Sequence, residues 1–249
     1  MASRLSYRVL SVDVGERNLG VAIVAVAEGR ARLEYLGVHD VLTTVGCAAK
    51  CRSVTKVDSV RHMCTFLAAR QAEWRVDAVT DFVVEGQVRA SPKNQCLTAA
   101  LFAWFTLATG AAAPDSTAGG QTNPRPRMAS VAAKNKGLDS PSPALPAAST
   151  AAPLPVIAKA TKGKAAGKGA GKGKAAAGKG LAYRARKKSA VATLDGLLAS
   201  GKLTPAAPDV LAQWRAAKKQ DDMADAALQA LWYIEHRLKT PLTVEAEPQ

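Results

Sequence analysis

Apolar and polar positions fall along this chain in two periods, and the switches between them mark out its elements. Val9, Leu10, Val12 and Val14 form a β-branched apolar run broken by Gly15, and residues 20–26 form a second, so the pair predicts a hairpin. Residues 31–38 alternate and add a third strand, making a meander. Residues 43–56 read as loop or helix start. Val57, Val60, Met63, Cys64, Leu67 and Ala68 recur at helical spacing across residues 57–74. Residues 78–84 predict a fourth strand that ends on Glu85 and Gly86, and residues 127–133 a short fifth. Residues 94–109, with Leu97, Leu101, Phe102, Trp104 and Phe105, predict a helix apolar around most of its girth, buried in a core or a subunit interface. Residues 183–199 predict another helix. The last runs from about Lys218 to Leu238, with Met223, Ala227, Ala230, Leu231 and Ile234 as its apolar face. The pattern is α/β: a five-stranded mixed sheet flanked by helices.

Two stretches carry no such period. Residues 110–126 are Ala, Gly, Pro and Thr and predict a loop. Residues 137–180 are low-complexity, first Pro/Ser/Ala and then Lys/Gly/Ala, and cannot bury enough apolar surface to offset chain entropy, so they predict a disordered insert. The expected organisation is one domain in two parts, residues 7–136 and 181–240, separated by that insert.

Charge narrows the partner. The 249 residues carry a formal net charge of +14, which points to an anion and first to nucleic acid. The insert holds seven lysines against Asp139 alone, so more than half of the excess lies outside it. The one-signed insert reads as a solvated linker, a non-specific phosphate-binding arm, or both. Arg184, Arg186, Lys187 and Lys188 open a helix where cations oppose the macrodipole, and so suit an anionic partner better than helix stability. No charge-free run of membrane-spanning length and no secretory core appears, which predicts no membrane partner and an intracellular location. Cys47, Cys51, Cys64 and Cys96 read as reduced thiols. Their spacings with His39 and His62 fit no standard zinc pattern, and Cys64 is expected in the core.

The chemistry candidates are carboxylates. Asp13 is the one charge in the first strand, and burying it costs several kcal/mol in order of magnitude unless a cation or donors meet it. It is either a structural hydrogen-bonding residue or a metal ligand. Glu85 ends the fourth strand. Asp222 and Asp225 share a helix face near the start of the last helix, and Asp221, four before Asp225, could share it also. Three or four such carboxylates make a hard-oxygen set suited to Mg²⁺ or Mn²⁺, and two ions about 4 Å apart can activate water and stabilise the leaving oxygen of a phosphodiester.

The ordered set Asp-x-Gly-x-x-Asn-x-Gly (13–20), Val-Val-Glu-Gly-Gln (83–87) and Lys-Lys-x-Asp-Asp-x-Ala-Asp-Ala (218–226) resembles the RuvC-like Holliday junction resolvases of the RNase H fold. It is most like the poxvirus and large-DNA-virus branch, and fungal mitochondrial resolvases are similar. The resemblance covers residues 7–109 and 181–240 and leaves the insert unmatched. It implies an RNase H-like sheet and a homodimer that uses two metal ions to nick a four-way DNA junction symmetrically. Carried over, the catalytic and metal-binding residues are Asp13, Glu85, Asp222 and Asp225, the family's Asp-x-x-Asp spacing favouring Asp222 over Asp221. Gln87, Arg89, Lys93 and Asn94 stand where relatives have a DNA-facing segment, and the apolar helix after them matches the family's dimer helix. Lys187, Lys188, Lys218 and Lys219 would hold phosphates. A cytoplasmic viral factory or the nucleus is the expected location, ahead of the mitochondrion.

Other classes fit less well. An actin- or Hsp70-like ATPase also uses Asp-x-Gly between two strands, but needs a second phosphate hairpin and a second lobe, and neither is present in the pattern. A non-catalytic branched-DNA-binding protein on an RNase H scaffold is the alternative that the carboxylate set argues against. A nuclease for single strands or RNA–DNA hybrids shares the same cluster.

Overall fold

The computed structural model describes residues 6–46, 54–86, 92–110, 126–132 and 172–243. The chain divides into two compact units, residues 1–138 with 188–249, and residues 139–187. Of the second, the described part is residues 172–187, which are helical.

The first unit is built on a six-stranded sheet. Strands β1 (Tyr7–Asp13), β2 (Leu19–Ala27) and β3 (Arg30–His39) form the expected antiparallel meander. Strands β4 (Asp81–Gly86) and β5 (Arg127–Ala132) add in parallel on the β1 side. The sixth, β6 (Leu203–Pro205), pairs in parallel with β3, giving the order β5-β4-β1-β2-β3-β6. Three residues ending in proline offer no alternation to read, so the sequence predicted five strands.

Helices cover both faces. One carries α2 (Lys56–Arg70) and α3 (Pro92–Ala108), which pack with Leu10, Val12, Val21, Ile23, Phe82 and Val84. The other carries α5 (Pro208–Ala216), α6 (Gln220–His236) and the end of α4 (Lys172–Ala199), over Val9, Ala22, Val24, Leu33 and Val83. A one-turn helix, α1 (Val41–Thr44), is capped by the Asp40 carboxylate, which accepts from the Thr43 amide at 3.1 Å. The continuous apolar runs of β1, β2 and β4 thus have a simple cause: alternate residues feed two cores, each fully buried side chain contributing about 1.5–3 kcal/mol.

Two expectations shift. The helix read from residue 183 begins at Lys172, inside the segment expected to be disordered, and the rest of that segment, residues 137–171, lies outside the described residues together with Cys47 and Cys51. In α2 the buried set is Ser59, Met63, Phe66 and Leu67, which leaves Val57 68% exposed and Cys64 exposed rather than in the core. Ser59 can face inward because its hydroxyl donates to the Thr55 carbonyl at 2.8 Å.

At the end of the sheet where β4 begins, Asp81 is fully buried. It accepts from Arg127 Nε (2.7 Å), the Thr80 hydroxyl (2.7 Å) and the Tyr233 hydroxyl (3.0 Å). Burial first, then the charge of Asp81 and the hydrogen bond to it, push the Tyr233 phenol up to about 12. This network ties β4, β5 and α6 together, so the two sequence-distant parts of the unit share the core under α6. No helix among the described residues is long and apolar enough to cross a membrane.

Candidate active site

The opposite end of the sheet holds Asp13 and Glu85 and receives the start of α6. β1 and β4 run parallel with Val12 opposite Val84, so Asp13 and Glu85 follow at the carboxyl ends of neighbouring strands. Ser11 pairs with Val83 and Ala22, and Val83 and Ala22 both lie in the core under α6. Since side chains alternate along a strand, Asp13 and Glu85 stand on that same α6-covered face. Both are half-buried.

The glycines of the β1–β2 hairpin explain how the helix reaches them. Gly20 pairs with Asp13 across the ladder. A Cβ placed on Gly20 would lie 3.4 Å from the Asp13 Cβ, 3.0 Å from the Asp222 carbonyl carbon and closer still to the Asp222 carbonyl oxygen. Only glycine lets the α6 backbone settle there, and the same cradle brings Asp222 against Asp13. Gly15 closes the turn itself, where a Cβ would meet the Asn18 carbonyl oxygen at 2.5 Å.

On α6, Asp222 is buried at 9% exposure, whereas Asp221 and Asp225 are half-buried. Asp221 and Asp222 both lie in the first turn, where carboxylates suit the helix dipole. Lys218 and Lys219 are exposed just ahead of that turn. Lys93, in the first turn of α3, is ion-paired with Glu16 of the β1–β2 turn, which carries the start of α3 to this end of the sheet. Asn94 follows it, half-buried. Gln87 and Arg89 lie outside the described residues, and the side chain of Arg184 does too. Arg186 and Lys188 are exposed and Lys187 is half-buried on α4.

As a donor set, Asp13, Glu85, Asp222 and Asp225 are all hard oxygens, the class of donor that suits a divalent cation such as Mg²⁺ or Mn²⁺. Among the described residues, no three His, Cys, Asp or Glu side chains are already drawn together as a ligand group.

Sequence reasoning passed over Glu16, Ser11 and Gln229. Glu16 was legible only as a charge beside the turn glycine; its partner is 77 residues away. Ser11 is the one hydroxyl in the apolar run of β1, and Gln229 the one amide among Ala226, Ala227, Leu228, Ala230 and Leu231. Both are completely buried.

No family model matches this chain, and no curated protein matches it in sequence. Among solved structures it is similar to the yeast mitochondrial Holliday junction resolvase Ydc2, at 14% identity and a TM-score of 0.57, over 96% of this chain and 84% of that one. It also overlaps RuvC of Thermus thermophilus, at 15% identity and a TM-score of 0.44, over 95% and 98% of the two chains. The nuclease domain of the human cytomegalovirus terminase overlaps at 11% identity and a TM-score of 0.37, over 98% and 88%. The chain has the RNase H-like fold that its resemblance to the Holliday junction resolvases implied.

Proposed function

We propose that this protein is a metal-dependent endodeoxyribonuclease that resolves four-way DNA junctions by paired nicks, as a homodimer. The observation that supports the reading is that Asp13 and Glu85 end neighbouring parallel strands where the Asp222 backbone of α6 packs on Gly20, a glycine that no other residue could replace without moving the helix. The similarity in fold to a junction resolvase supports the substrate class, and the net charge of +14 supports an anionic partner.

In this reading the four carboxylates would hold two Mg²⁺ or Mn²⁺ ions, which would supply Lewis-acid stabilisation of charge at the scissile phosphate and a nucleophile from water. Asp13 and Glu85, fixed on rigid strand ends, set the position of the phosphate relative to the sheet. Asp222, buried against Gly20, holds the helix register, and Asp225 one turn on completes the cluster. Lys218 and Lys219 would contact the flanking phosphates, as would Lys188 on α4 and Lys93 and Asn94 at the start of α3. Paired nicks require two such sites. The exposed Leu107 (75%) on α3 and Met128 (45%) on β5, whose thioether lies 3.5 Å from the Thr106 hydroxyl, support a self-associating apolar surface there.

The test is cleavage of a labelled four-way junction with Mg²⁺, beside a linear duplex, a chelator control and Asp13→Asn. Symmetric nicks in the junction by the wild type alone establish the reading. Tight junction binding without cutting in any arm replaces it with a non-catalytic branched-DNA-binding protein, and preferential cutting of single strands or hybrids moves the substrate class.

A further inference from the structure

Glu16 and Lys93 form an ion pair between the β1–β2 turn and the first turn of α3, and it is not an ordinary surface contact. The Glu16 side chain is only 13% exposed, and its Oε1 is buried without a hydrogen-bond partner. The turn beneath it is fixed. Gly15 closes it, the Val41 amide donates to the Glu16 carbonyl at 3.0 Å, and Arg17 lies 3.7 Å from Asp40, the residue that caps α1. Asp13 ends β1 three residues before Glu16, so one rigid turn follows a candidate metal ligand and carries the carboxylate that holds Lys93. A tie needed only for packing is often better made by two apolar side chains, because a desolvated carboxylate with an unpaired oxygen costs stability that the ion pair need not return. What a lysine adds to an apolar side chain is charge. Its ammonium carries three donors, more than one carboxylate oxygen takes, and the Lys93 side chain keeps 31% of its surface in solvent. An anion arriving from solvent can therefore share that ammonium without displacing Glu16.

We infer that Glu16 is a positioning residue: it fixes the Lys93 ammonium at the start of α3, and Lys93 so held sets where a backbone phosphate of the DNA rests relative to Asp13. A lysine on a free, flexible stem binds phosphate as a wandering point charge, which gives affinity without register. Tied to a rigid turn, the same charge gives register, because the cost of ordering the side chain is met before the DNA arrives. Exchange of Glu16 for the phosphate is disfavoured, since it would leave a mostly buried carboxylate without its cation and beside a second anion. The inference rests on the proposed nuclease reading and concerns a residue that acts only through Lys93.

The experiment uses the full-length protein and a labelled four-way junction, for wild type, Glu16→Met, Glu16→Gln, Lys93→Met and the double variant of Glu16→Met with Lys93→Met. Three quantities are read: the single-turnover nicking rate at saturating protein and Mg²⁺, junction affinity in Ca²⁺ at several salt concentrations, and the melting temperature. Glu16→Met keeps the bulk and removes a negative charge, so affinity should be equal or tighter, while nicking at saturation slows at least about 10-fold through loss of register. Glu16→Gln, which still offers Lys93 an oxygen, should recover part of that rate. Lys93→Met should lower the slope of log affinity against log salt by about 1. The double variant should nick no more slowly than Lys93→Met, since the glutamate acts through the lysine. Should Glu16→Met not fold, Lys93→Met decides through its salt slope. A Glu16→Met protein that nicks at the wild-type rate, whatever its melting temperature, or a Lys93→Met protein with an unchanged salt slope, overturns the inference and spares the nuclease reading. A wild type that binds the junction but nicks none of it overturns both.

Discussion

Replacing Gly20 by alanine tests the site without touching a carboxylate. The added methyl would sit 3.0 Å from the Asp222 carbonyl carbon and inside contact distance of its oxygen, and the obstacle is helix backbone, which cannot rotate away. To restore ordinary contact the first turn of α6 must lift from β2 by about 1 Å, a displacement that in an active site can cost about 100-fold in rate. The packing cost of one inserted methyl is about 1–3 kcal/mol. At about 2–4 °C per kcal/mol for a domain of this size, the melting temperature should drop by several degrees with the fold retained. The assay compares wild type and Gly20→Ala for melting temperature, for junction affinity in Ca²⁺ or chelator, and for the single-turnover nicking rate in saturating Mg²⁺. The expected result is near-normal affinity, because the basic residues are untouched, with nicking slowed about 100-fold. A Gly20→Ala protein that nicks at the wild-type rate would show that the distance between Asp13 and Asp222 does not matter, and the assignment of these two residues to one site would fall.

Three further outcomes follow from other parts of the molecule. Asp81→Ala should cost about 2–3 kcal/mol in urea unfolding, since it removes the acceptor of the buried Tyr233 hydroxyl and of Thr80 while Arg127 stays half exposed, whereas Tyr233→Phe should cost about 1 kcal/mol; equal effects would contradict the network. His39 is held down to about 4, first by burial and then by the Arg70 charge, against Glu73, and its Nε2 lies 2.8 Å from the Tyr35 hydroxyl. The unfolded chain therefore binds the extra proton between pH 6.5 and 4, so this contribution to stability is intact above pH 6.5 and lost as pH falls to about 4, by up to about 3 kcal/mol; His39→Gln should flatten that part of the profile. Lys218→Ala with Lys219→Ala should weaken junction binding and lower the slope of log affinity against log salt by about 2; an unchanged slope would remove both from the phosphate contacts.

Much of the frame was readable because its strands are β-branched runs stopped by glycine or by a charge, and a buried parallel or central strand has no other way to look. The helix faces were less so. Met63 and Leu67 belong to the buried face of α2, but Val57, Cys64 and Ala68 belong to a stripe rotated away from it, and the residue that corrects the rotation is Ser59, whose hydroxyl is satisfied within its own helix. Helix α5 buries only Val210 and Trp214, too few for a period to register. The Lys93–Glu16 pair could not be read at all, because it depends on how a helix start and a turn 77 residues apart are brought together.

Asp81 and Asp13 show what the residue type alone leaves open. Both are single carboxylates in apolar strands, and both lie on the face covered by α6. What separates them is strand direction. Asp81 begins β4, at the amino end of the parallel strands, and every acceptor position it offers inward is taken by a guanidinium, a threonine and a tyrosine. Asp13 ends β1, at the carboxyl end, where open α/β sheets leave a crevice and where Glu85 and the first turn of α6 arrive. Apolar strands that carry one acid are thus informative only with their polarity attached: an acid at the entry calls for an internal partner, while an acid at the exit is placed to meet something that comes from outside. Converting Asp81 to Asn should therefore act on stability and leave the nicking rate of the folded fraction unchanged, and Asp13→Asn should do the reverse. If both substitutions acted on stability alone, strand polarity would not be the distinction that matters here, and Asp13 would be a structural residue.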